Sequence, residues 1–71
     1  MKHSNIGALV KRASLDGARS FRYPKLKYED FFSEAESDFE GMISWAQLFV
    51  FYRIGFTDGY ETAKREAQQC R

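Results

Sequence analysis

The residues with the reactivity a catalyst needs are few: His3, Cys70 and a set of carboxylates. A nucleophile requires a base within hydrogen-bond reach, and histidine is the usual base. His3 is the single histidine and reads as a solvated residue near a chain terminus. Cys70 is the single cysteine, and only Arg65 and Arg71 stand near it, so no basic cluster activates it. One cysteine gives no disulfide. His3 and Cys70 together fall short of the roughly four ligands of a structural zinc site. Gly55 and Gly59 have a phosphate-loop spacing in part, but no Lys-Ser/Thr follows them. No catalytic, cofactor-binding or metal-ligating residue is therefore expected, and the chain does not read as an enzyme.

Binding chemistry is better represented. The formal net charge of +1 conceals a strong segregation. Residues 1–27 carry a net +6, residues 28–40 a net −6, and residues 41–71 a net +1. The acidic stretch holds Glu29, Asp30, Glu34, Glu36, Asp38 and Glu40. Asp30 and Glu34 are like charges four residues apart, which costs helix stability unless something offsets it. Acids near a helix N-terminus, pairing with the basic segment, or a basic partner surface would each do so. Glu34, Glu36, Asp38 and Glu40 are the candidate partner-binding acidic face. The alternative patch is Arg19, Arg22, Lys25 and Lys27, interleaved with Phe21 and Tyr23. Cations beside aromatics can track phosphates and stack on bases. Against nucleic acid stands a pI near 7.9, below the 9 or more of a basic footprint.

These residues must be positioned by helices. Ile6, Leu9, Val10 and Ala13 repeat at helical spacing, with Ser4 as N-cap and Gly17 as stop, which predicts a helix over 4–16. Ala18 to Lys27 reads as a connector or an edge strand, because Pro24 biases Tyr23 to an extended backbone. From Tyr28 the helical period continues to the end of the chain. One helix of that length would reach about 63 Å, too long for a compact 8.3 kDa chain. A break is expected between Ser37 and Gly41, near the capping-box patterns Ser33-x-x-Glu36 and Ser37-x-x-Glu40. Helices over 28–38 and 42–69 result.

The last helix carries a heptad-like seam of Met42, Trp45, Phe49, Tyr52, Phe56, Gly59 and Ala63. Ile43, Ala46, Leu48, Val50, Phe51 and Ile54 cover its other sides, so it reads as long and hydrophobic and buried on several sides. Gly55, Gly59, Ala63 and Ala67 form a ridge of small residues that would admit a closely crossing helix. Continuity of this helix through Gly55 is expected over a break there.

The fold expected is all-α, a single domain of three helices over residues 1–71, packing as a helical dimer. Aromatic residues are 17% of the chain, more than a domain this small can readily bury. Trp45, Phe49, Tyr52, Phe56, Gly59 and Ala63 are the candidate dimer or partner interface. No apolar run is long enough for a signal peptide or a membrane span, and no disulfide framework exists, so a cytoplasmic protein with no membrane partner is expected.

With its aromatic-rich helices, its lack of a catalytic motif and its terminal helix Gly59-Tyr-Glu-Thr-Ala-Lys-Arg-Glu-Ala67, the chain resembles short phage-encoded host modulators. Anti-CRISPR proteins and antagonists of host transcription factors are of this kind. The resemblance implies a protein of the host cytoplasm that binds a host protein and inhibits or modulates it. It carries over no functional residue. The function expected is thus a non-enzymatic protein–protein interaction module, a homodimer through the seam above; the alternative is a nucleic-acid-binding accessory protein using residues 11–27.

Overall fold

Residues 4–22 of the basic segment form one helix, longer than the 4–16 expected. In the computed structural model, which describes residues 4–69, α1 runs Ser4–Arg22, α2 Tyr28–Asp38 and α3 Trp45–Gln69. His3 and Cys70 lie outside the described residues. No strand occurs among the described residues, so the fold is all-α with three helices.

α1 does not stop at Gly17, nor is 18–22 a connector or strand. It passes through Gly17 because α3 lies against that glycine. A Cβ there would overlap the Phe56 carbonyl and fall 2.8 Å from the Tyr60 nitrogen. Close packing, not chain termination, explains the missing side chain. The helix ends at Tyr23-Pro24, where Tyr23 N–H makes a last bond of 2.8 Å to the Arg19 carbonyl.

α2 occupies the expected residues. The Lys27 N–H donates to Asp30 Oδ2 at 3.3 Å, so an acid in the first turn satisfies a helix-end donor. The helix stops at Asp38, and Gly41 takes φ +80° in the turn that follows, a region open to glycine without steric cost. Ser33 and Ser37 lie inside α2 and cap nothing. The cap of α3 is Ser44, whose Oγ accepts the Gln47 N–H at 3.3 Å. α3 accordingly begins at Trp45 and not at residue 42.

α3 is continuous through Gly55. It is long but not strongly apolar: its second half carries Asp58, Glu61, Lys64, Arg65 and Glu66, all exposed. The small-residue ridge meets α1. A Cβ on Gly55 would lie 2.7 Å from the Val10 carbonyl oxygen, and one on Gly59 would overlap the Ser14 carbonyl. Residues 10 and 14 face 55 and 59 in the same order, so α1 and α3 run parallel with backbones in contact.

α2 runs antiparallel to both. Large rings hold it away from α3. Tyr28 meets Phe56 edge-on at 4.9 Å, and Phe32 meets Tyr52 at 5.3 Å and Phe49 at 5.8 Å. The core between the helices contains Leu9, Ala13, Phe31, Ala35, Leu48 and Tyr52.

Candidate interaction surfaces

The six candidate interface residues of the seam divide between inside and outside. Tyr52, Gly59 and Ala63 are buried within the chain, and Phe56 is half-buried under Tyr28 and Phe31. These four are occupied by α1 and α2. Trp45 points outward and stays 55% exposed. It stacks on Phe49 at 5.2 Å and takes an edge contact from Phe32 at 6.2 Å. Its ring is fixed on one side and bare on the other.

Beside Trp45 is a hollow of about 160 Å³, floored by Phe39, Ile43 and Leu48 and flanked by Glu36 and Glu40. The turn at Gly41 folds Glu40 back beside the first turn of α3. That places two members of the acidic face next to the tryptophan. Neither Glu36 nor Glu40 forms an ion pair among the described residues.

The other two members are engaged internally. Arg12 Nη1 donates to Asp38 at 2.6 Å and Arg12 Nη2 to Glu34 at 3.2 Å. The same guanidinium reaches Asp16 through Nε at 3.1 Å. Arg12 thus ties the basic helix to the acidic one, and its pKa is raised above the ordinary value, first by the bond to Asp38. Its side chain is 24% exposed, while Glu34 and Asp38 are more than half exposed. Only the end at Asp16 is dry.

Asp16 is the centre that sequence reading missed. It is 1% exposed, and the buried Tyr52 hydroxyl donates to its Oδ2 at 2.9 Å. Oδ1 has no hydrogen bond, and the Arg19 guanidinium stands 3.8 Å from it. The Tyr28 hydroxyl is likewise buried without a partner. Burial, then the bond to Asp16, pushes the Tyr52 phenol far above its ordinary range. Burial also raises Tyr28. The signal was available: Leu9, Ala13 and Asp16 fall at i, i+4 and i+7, which puts the one acid of residues 1–27 on the buried stripe.

The alternative basic patch is partly free. Arg19 is drawn towards Asp16 and lies 5.7 Å from the centre of the Phe31 ring. Arg22, Lys25 and Lys27 are exposed, with no ion pair among the described residues, and Tyr23 is 57% exposed between them.

Among the described residues no group of three or more His, Cys, Asp or Glu is placed to hold a metal ion. No helix among them is long and apolar enough to cross a membrane. No family model matches the chain, and no curated protein or solved structure matches it.

Proposed function

We propose that this protein is a small non-enzymatic interaction module, a homodimer, which binds a host protein and inhibits or modulates it. The observation that carries the reading is Trp45. A 71-residue chain leaves its one tryptophan more than half exposed, braced by Phe49 and Phe32. Tryptophan held rigid at a surface is the usual anchor of an interface, because its large area binds at little entropic cost. Glu36 and Glu40 beside it give the partner's character: a surface bearing Lys or Arg, whose charge these carboxylates meet and whose stems cover the ring. The host setting follows from the resemblance to phage-encoded modulators, and the cytoplasm of the host is the compartment it implies.

Affinity capture of the tagged chain from a bacterial lysate, with and without nuclease, tests this. One stoichiometric protein that survives nuclease is expected. Recovery of only nuclease-sensitive material would contradict it.

A second reading has its own observation. Tyr23 lies exposed among Arg22, Lys25 and Lys27, an arrangement suited to a single nucleic-acid strand. It requires an affinity that falls steeply with salt, and a shallower slope when those three cations are replaced by alanine.

A further inference from the structure

A hollow lies on the side of α3 turned away from α1. It opens to solvent and has a volume of about 650 Å³. Every residue around it belongs to α3, among them Phe49, Val50, Arg53, Ile54, Glu61 and Arg65. Val50 is 49% exposed and Ile54 57%. The face is therefore an apolar strip in the first half of the helix with charges spaced along it.

The order of those charges identifies the occupant. Arg53 and Glu61 are eight residues apart and equidistant from Thr57, which also lines the face. We propose that this face pairs with the same face of a second copy, antiparallel, about a two-fold axis beside Thr57. Such a pairing places Arg53 of each copy opposite Glu61 of the other, twice by symmetry. The same register sets Arg65 opposite Phe49, a cation over a ring, and the stem of Lys64 over Val50. Ile54 meets Tyr60, itself a third exposed. A parallel pairing would instead align Arg53 with Arg53, Glu61 with Glu61 and Arg65 with Arg65, which like-charge repulsion opposes. Of the two directions only the antiparallel one pairs Arg53 with Glu61, while Asp58 lies near its own copy in both. The antiparallel arrangement also sends the two Trp45 side chains to opposite ends of the pair, so both stay open to partners.

This inference rests on the proposed reading of the chain as a homodimer and names the surface. Sedimentation of the purified full chain over a concentration series at low salt tests it. A dimer is expected. R53E and E61R should each weaken dimerisation by about tenfold or more, and the double variant R53E/E61R should recover most of the loss. Both residues are exposed, so each variant should keep its helical circular dichroism. If one does not fold, I54K on the same face takes its place and should give a monomer. A wild-type chain that stays monomeric overturns the proposal. So does a dimer that the single charge reversals leave intact, or a double variant that is no tighter than the singles. Partner capture through Trp45 is read separately, so loss of one activity does not imply loss of the other.

Discussion

At the residue scale, Arg12 and Asp16 decide how much of the charge segregation is structural. The bridges from Arg12 to Glu34 and Asp38 are exposed, and exposed pairs are worth at most about 1 kcal/mol. Asp16 differs because it is buried, and removing it strands the Tyr52 hydroxyl as well as one end of Arg12. Urea denaturation of Asp16→Ala should show a loss on the order of 3 kcal/mol. Glu34→Ala should lose less than about 1 kcal/mol. Equal losses would mean that the burial of Asp16 contributes nothing. Tyr52 gives a pH signature. Its folded pKa is raised well above the unfolded value of about 10. An acid whose pKa is raised by folding stabilises the fold fully below the unfolded pKa, and that stability is lost as pH rises above it. Thermal stability should therefore be level on account of this group up to about pH 9 and fall above pH 10. Tyr52→Phe should flatten the fall, with Tyr28, raised in the same direction, accounting for part of what remains.

At the element scale, two helix pairings use opposite means. α1 and α3 meet backbone to backbone through glycines, whereas α2 rests on a layer of rings. Gly59→Ala would drive a Cβ into the Ser14 carbonyl and must push the helices apart, for a loss of about 2 kcal/mol or more. Gly7→Ala meets nothing within 4 Å and lies inside α1, so it should gain about 0.5–1 kcal/mol. Thermal melts of the two variants check both signs. The glycines also mark how much of the fold was legible. α2 was readable residue for residue from its spaced aromatics and from the break before Gly41. The ridge at Gly55 and Gly59 was readable as a place for a crossing helix, but which helix crosses was not. Gly17 looked like a stop because a glycine's local preference and its use for close approach leave the same mark in a sequence. Only the position of Phe56 distinguishes them. Ser44-x-x-Gln47 carried the start of α3 in plain view, between an earlier pair of serine patterns and the first aromatic of the seam.

At the scale of the whole molecule, shape explains what is left uncovered. The chain measures 42 × 25 × 15 Å, with a radius of gyration of 12.6 Å against about 11 Å for a compact chain of this length. A body only 15 Å thick cannot wrap its longest helix on all sides. α3 gives one side to α1 and another to the rings of α2, and its outer face remains bare. The heptad-like seam therefore divides its residues between a core and a surface: Tyr52, Gly59 and Ala63 go inward and Trp45 outward. Sequence alone could not make that division, because all seven seam residues lie on one stripe and the boundary depends on where α2 ends. The charge segregation divides in a similar way. Arg12 absorbs Glu34 and Asp38, which leaves Glu36 and Glu40 at one end of the molecule and Arg22, Lys25 and Lys27 at the other.

The most direct test of the account compares those two ends in one experiment. Capture from lysate after nuclease treatment should be run with the wild-type chain, with Trp45→Ala, and with a triple variant replacing Arg22, Lys25 and Lys27 by alanine. The account predicts that the partner is lost from Trp45→Ala, with a weakening of about tenfold to a hundredfold as for an interface anchor, and is retained by the triple variant. Retention by Trp45→Ala together with loss from the triple variant would contradict it and would move the binding site to the turn around Tyr23.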